Sequence, residues 1–478
     1  GVDVRAQLTT VIRGGTVVTA SDMVIADVVV SGETISSIEQ HAAPGDTEID
    51  ATGCFVMPGG VDTHTHLENP SLGVTRSADD FYTGTVAALH GGTTTLVDFV
   101  KREQGYSMYD SFVRRRERAE NAVVADIGFH PVVPTTAGED DSFDDLARLT
   151  LEHGTTSWKF FMAYPGAMMV DDATLIRGMR LCRELGVLPM VHAENGHLVA
   201  DTTRRLVEAG KTAEHHHHDA HTHVSEQEAV HRAVAIAESV DSPLFVVHVS
   251  SRLAADEVAI ARARGLAVFG ETCPQYLLTA FEDYDKQGFA AAAYICSPPI
   301  REKANQERLW NALSTGVLST IGTDHAAFTM GQPDDLPPQK SHGRGCFTDV
   351  PNGVPGVEER LEVIYEAGVV GGRFDMCRFV DLVSTRPAKI FGMYPRKGTI
   401  ALDSDADIVV WDPNAEHRIS ADELHHRADY SLYDGMKVSG LARVVMSRGD
   451  VVVSPDGFNA PKGRGRYLER GAPVLSAT

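Results

Sequence analysis

The chain has 478 residues, which at roughly 150 residues per domain suggests two or three domains, or one α/β barrel of about 250 residues with additions. Hydrophobic residues make up 43% and charged residues 23%, an ordinary globular balance that excludes a disordered or fibrous chain. The formal net charge of −23 repels phosphate backbones and anionic lipid, so neither nucleic acid nor a membrane surface is expected as a partner.

Residues 1–57 read as short strands. Thr10–Ile12, Thr16–Thr19, Ile25–Ser31 and Ile35–Glu39 are β-branched runs, separated by Gly-Gly, Ser-Asp and Gly-Glu turn signals. From 58 to 390, apolar strand runs alternate with helical periodicity. Eight strands are predicted: Gly60–His66, Thr93–Phe99, Val123–Val133, Ser157–Met162, Val187–His192, Leu244–Val249, Leu266–Glu271 and Leu318–Thr323. Helices are predicted at Tyr82–His90, Tyr109–Asn121, Asp172–Leu185, Glu226–Ser239, Leu253–Arg264 and Lys303–Ser314. Eight βα units predict a closed parallel barrel. A doubly wound open sheet is the alternative, weakened because no glycine-rich phosphate loop sits at a strand-to-helix turn. Two long insertions, Asn195–Ser225 and Asp324–Arg360, have the length of functional lids or arms. Short strands return in 391–456, at Gly398–Ile400, Ile408–Trp411 and Leu441–Ser447, before a tail over 457–478. The two β-rich ends form either one small domain or two marginal sheets.

The six cysteines contain no CxxC pair, which speaks against a disulfide framework and suits a reducing cytoplasm. No apolar run approaches the ~18 residues of a membrane span. The start, Gly1–Arg5, does not resemble a signal peptide.

The chemistry gathers at predicted strand ends. In Asp62-Thr63-His64-Thr65-His66 the two histidines are two residues apart, so both side chains leave the same side of the strand, a spacing that suits a metal. Strands five and six end in His192 and His248, and the eighth ends in Asp324. Each alone is an ordinary polar residue. Together they converge on the C-terminal rim, where barrel enzymes carry their chemistry. Four histidines and one carboxylate exceed the needs of one zinc ion, and two ions need a bridge. Lys159 ends the fourth strand between Trp158 and Phe160. A protonated lysine beside two cations is disfavoured, whereas a lysine carboxylated by CO₂ is an anion that can reach both.

These residues resemble the cyclic amidohydrolase branch of the metal-dependent amidohydrolase superfamily, above all hydantoinases and dihydropyrimidinases. The resemblance runs from Val56-Met57-Pro58-Gly59 to Ser384-Thr385-Arg386-Pro387 and Ser404-Asp405-Ala406-Asp407. It implies a (β/α)8 barrel with a small β-sandwich built from both chain ends. It also implies two divalent ions, zinc by expectation: one on His64, His66 and Asp324, the other on His192 and His248. Carboxylated Lys159 bridges them. Tyr164 matches a tyrosine that polarises the substrate carbonyl, and Ser297 and Asn352 match contacts to the ring amide. A hydroxide between the metals would attack the ring, with Asp324 carrying the proton, to give an N-carbamoyl amino acid from a hydantoin or dihydropyrimidine. Leu67, Leu72, Phe161, Met168 and Met169 are expected around an apolar ring substituent. The branch assembles as homotetramers or dimers.

Glu68 stands where dihydroorotases carry an arginine for the substrate carboxylate, so an acidic ring is expected to be repelled. Leu67-Glu68-Asn69-Pro70 keeps allantoinase as the alternative, and a scaffold without catalysis is the non-enzyme one. Glu214–His223 holds six of the 21 histidines where the branch has a Ser-Arg-Pro stretch, and is expected to be a solvated loop that adsorbs metal adventitiously, with an accessory metal site as the alternative.

Overall fold

The computed structural model describes residues 7–476; Gly1–Arg5 lies outside the described residues. All eight predicted barrel strands are present: β1 (Gly60–Thr65), β2 (Thr93–Val100), β3 (Asp126–Pro131), β4 (Ser157–Phe161), β5 (Leu188–His192), β6 (Leu244–Val246), β7 (Val268–Thr272) and β8 (Thr320–Ile321). Every residue in them is buried, as parallel strands covered on both faces must be. β1, β2 and β3 pair in parallel, and β4 to β8 form a second parallel run. Parallel bridges between Val132 and Lys159 and between Thr65 and His325 join the two runs into a ring. The open sheet is thereby excluded. Val61, Val97, Leu188, Met190, Phe245 and Phe269 fill the barrel, while a larger apolar layer lies between strands and helices.

The helices follow the predicted pattern, and their starts are chemically marked. Asp80, Ser107, Asp171 and Ser251 each accept a backbone N–H at the first turn of a helix. An additional helix, Ser142–His153, follows β3; Phe143, Leu146 and Leu149 form its buried stripe, and left-handed Gly154 ends it. The first insertion is largely helical, with Gly196–Glu208 and a short turn at His216–Ala220. The second consists mainly of irregular chain and 3₁₀ turns.

A nine-stranded sheet combines both chain ends. Phe55–Pro58 pairs antiparallel with Ile408–Asp412, with Val56 opposite Val410. Two expectations fail here. Gly14-Gly15 is no turn: Thr9–Val18 is one strand with a register shift between Ile12 and Gly15. Gly14 takes φ +77°, and a Cβ on Gly15 would stand 2.5 Å from Val56 Cγ2, so the pair serves as a bulge under close packing. Gly398–Ile400 is not a strand; the Gly398 carbonyl instead accepts from Thr385 Oγ1. No helix among the described residues is long and apolar enough to cross a membrane.

Candidate active site

The ends of β1 and β8 are tied together by a buried carboxylate. Asp62 accepts from His64 N, from Thr323 N and, at 2.6 Å, from Thr323 Oγ1. This holds the His64/His66 strand end against Asp324. Asp324 Oδ1 then lies 3.0 Å from His64 Nε2 and 2.9 Å from His66 Nε2. Glu271, at the end of β7, holds the other nitrogen of His64 at 2.6 Å. Across the cavity, His192 Nδ1 meets His248 Nε2 at 2.9 Å, and Glu194 takes His192 Nε2 at 2.6 Å. A carboxylate on the far nitrogen fixes each ring and leaves the near nitrogen as the donor, the usual support of a metal-binding imidazole.

Electrostatics agree with a site built for positive charge. Burial disfavours protonated His64, yet Glu271 and Asp324 overcome it and raise its pKa to about 9. His66, more weakly supported, is lowered to about 4 by burial. Asp324 stays well below the usual carboxylate range, because His64 and His66 outweigh its burial. The Nε2 atom of His64 is buried without a hydrogen bond, although it points at a carboxylate. Such an orphaned donor set (two imidazoles and one carboxylate with converging atoms) fits a divalent metal.

Lys159 lies in the middle of β4 with its side chain almost fully enclosed. Its Nζ lies 4.4 and 4.9 Å from the ring centres of Phe99 and Phe161. Burial lowers its pKa to about 8 against the pull of Asp324 and Glu271. The shift favours the neutral amine, which is the form that adds to CO₂.

Four non-glycine residues lining the cavity have left-handed backbones: Leu72 at φ +53°, Tyr164 at +66°, His248 at +38° and Asp324 at +53°. Strain of this kind is held in place by surrounding structure and concentrates at functional sites. Burial and the charge of Glu194 push the Tyr164 phenol well above its ordinary range, so it remains a donor. Asn352 Nδ2 donates to Ser297 Oγ at 3.1 Å on the facing wall.

All nine side chains singled out from the sequence line one cavity of ≈ 260 Å³: His64, His66, Lys159, Tyr164, His192, His248, Ser297, Asp324 and Asn352. Leu72, Phe161 and Met168 also line it, but Leu67 is in the core and Met169 faces another hollow. Glu68 is absent from the lining. Its Oε1 accepts from Phe81 N at 3.3 Å, so it caps a helix and cannot repel a substrate acid directly. Half-buried Lys101 is at the cavity wall instead.

Sequence reasoning missed Glu194 and Glu271. A carboxylate two residues beyond His192, and another ending an apolar strand, were the available signals. The histidine-rich segment is also not a solvated loop. His217, His218 and His221 are buried; His221 Nδ1 meets Glu194 Oε2 at 2.6 Å, and His217 Nε2 meets the Cys296 carbonyl at 2.8 Å. His325 is turned away from the cavity, with Nε2 on Asp79 at 2.9 Å and Nδ1 accepting from Gly356 N.

Residues 55–452 match the family model for the amidohydrolase family. The chain is 43% identical to a D-hydantoinase of Geobacillus stearothermophilus over 97% of both chains. It is 39% identical to a dihydropyrimidinase of Rattus norvegicus, over 96% of this chain and 88% of that one. The crystal structure of a dihydropyrimidinase from Brevibacillus agri superposes with a TM-score of 0.94 at 42% identity, covering 98% of this chain and 99% of that one.

Proposed function

The chain belongs to the hydantoinase and dihydropyrimidinase family of amidohydrolases, and from that premise we infer how its own residues carry the reaction. It is a cyclic amidohydrolase, opening a hydantoin or dihydropyrimidine ring to an N-carbamoyl amino acid. We propose His64, His66 and Asp324 as ligands of one ion and His192 and His248 as ligands of a second, with Lys159, carboxylated, shared between them. Zinc suits the nitrogen-rich donors. When bound, the two ions supply Lewis acidity, for water and for the ring carbonyl.

The protein's part is orientation and proton transfer. Tyr164 donates its phenolic proton toward the carbonyl oxygen, where negative charge develops. Ser297 and Asn352 hold the ring amide on the opposite wall. Asp324 accepts the proton of the attacking water and delivers it to the leaving ring nitrogen. Leu72, Phe161 and Met168 receive an apolar ring substituent. The name D-hydantoinase among the relatives supports a preference for the D isomer. We further propose a homotetramer, or a dimer, located in the cytoplasm.

The observation that supports this most is the convergence of all nine side chains on one cavity. The test is a panel of 5-substituted hydantoins, dihydrouracil, allantoin and dihydroorotate on metal-loaded protein, with product handedness recorded. Ring opening of a hydantoin or dihydrouracil is expected, with about two ions per chain. Turnover of allantoin alone would move the protein to the alternative within the branch. Absence of both metal and turnover would make it a scaffold.

A further inference from the structure

Outside the catalytic cavity, a second set of metal-type donors comes together from three separate segments. His218 is in the short helix His216–Ala220, His223 begins the helix His223–Ser239, and Glu302 follows the Ser297–Arg301 segment. His218 Nε2 lies 3.0 Å from Glu302 Oε1, and His223 Nε2 lies 2.8 Å from Glu302 Oε2. Each oxygen of one carboxylate therefore faces a different imidazole.

His218 is only 8% exposed, and its Nε2 has no hydrogen-bond partner despite the nearby oxygen. The Nε2–Oε1 contact lacks the alignment of a hydrogen bond. The ring is nonetheless fixed on its other sides. Nδ1 meets Asp219 Oδ1 at 3.2 Å, and the ring stacks on Phe281 with centres 4.0 Å apart. Asp219 is itself held by His216 Nδ1 at 2.9 Å. A carboxylate on Nδ1 leaves Nε2 as the lone-pair atom, aimed at the His223/Glu302 pair. This is the arrangement that supports His64 and His192, repeated at a place the reaction does not use.

We propose that His218, His223 and Glu302 form an accessory site for a first-row transition-metal ion of the zinc type, separate from the catalytic centre. Two imidazoles and one carboxylate exclude calcium and magnesium, which prefer all-oxygen sites. His223 and Glu302 are partly exposed, so the ion can exchange with solution. Its effect follows from what it joins. It would clip the first insertion to the chain that continues from Ser297, where Arg301 already donates to the His221 carbonyl. His217, the neighbour of His218, bonds the Cys296 carbonyl, so the clip stiffens one wall of the substrate cavity from behind. The site stands on its own donors and does not depend on the substrate assigned above.

Zinc alone is the probe. Holoenzyme dialysed free of loosely held metal is titrated with zinc chloride, with binding followed by calorimetry and content by elemental analysis. Wild type is expected to take about one further ion per chain beyond its catalytic complement, with a rise in Tm of a few degrees. The His218→Ala/His223→Ala double variant should lose that equivalent and the Tm rise. Glu302→Gln keeps the shape of the side chain, and serves where the double variant misfolds; its affinity should fall at least ~10-fold. No further zinc in wild type overturns the proposal. So does an extra equivalent that survives in Glu302→Gln at unchanged affinity, or one removed instead by replacing exposed His231.

Discussion

At the scale of single residues, Asp324 carries two duties that mutation can separate. As a ligand it needs only an oxygen facing His64 and His66 at about 3 Å; as proton carrier it needs a charge that it can neutralise. Asp324→Asn keeps an oxygen and loses the base. A fall of at least ~10²-fold in kcat is expected while much of the metal stays, measured as turnover and metal content on one sample. A loss in proportion to the missing metal would leave Asp324 a ligand only. His325 cannot then take over, because Asp79 and the Gly356 N–H occupy both of its nitrogens. Lys159→Ala should lose most metal and nearly all activity, and short carboxylic acids should restore part of both by filling the bridge; full metal content in the variant would refute the bridge. Glu271→Gln removes the charge from behind His64, and metal affinity should drop about 10–100-fold, read by competition with a chelator. The ligand-type residues were legible in the sequence because each lies within or at the end of an apolar strand run. Glu194 and Glu271 were harder to see, since a supporting carboxylate has no spacing of its own and is recognised only when its partner ring lies beside it.

At the scale of elements, the site's accuracy depends on how closely helices seat on strands. Gly178 in the helix Asp172–Leu185 shows this. A Cβ there would stand 2.4 Å from Phe160 Cε1 and 3.2 Å from Phe143 Cε1. Phe160 is adjacent to Lys159 on β4, so pushing the helix outward moves the strand that carries the lysine. Gly178→Val is expected to cost ~1–3 kcal/mol by overpacking, seen as a lower denaturation midpoint. Its activity should fall more than its residual metal, because geometry suffers before coordination does. Strand and helix order could be read from apolar runs and cap residues, but the Gly14-Gly15 bulge could not. Two glycines between β-branched runs look the same whether the chain reverses or bulges, and only the neighbouring Val56 decides. The histidine-rich turn was misjudged for a related reason. Polar residues in sequence imply solvent, unless buried carboxylates and carbonyls wait for them, as Glu194 and Cys296 do here.

At the scale of the whole molecule, the sheet and the barrel are joined by buried charge as well as by apolar contact. Lys397 is 1% exposed and reaches Asp126 on β3 at 2.7 Å, Asp407 at 2.8 Å and Asp405 at 2.9 Å. Arg448 adds a second cation on Asp126 at 3.0 Å. Residues from β3 and from the C-terminal part of the chain thus share one cluster, and no local pattern announced it. Burial opposes the charge on Asp126, but Lys397 and Arg448 prevail and hold its pKa at about 2. An aspartate is ordinarily near 3.9 in the unfolded chain, so this carboxylate stabilises the fold above about pH 4 and ceases to do so as pH falls toward 2. Lys397→Met leaves the carboxylates facing one another in a dry interior, and a loss of ~3–5 kcal/mol is expected at neutral pH. The penalty comes from uncompensated negative charge, so protonation must relieve it. The stability difference between wild type and variant, taken from denaturant midpoints, should therefore be largest near pH 7 and shrink steadily as pH is lowered through 4. A difference that stays constant with pH would mean that Lys397 acts through packing of its aliphatic stem, and that the joint between the two parts is apolar after all.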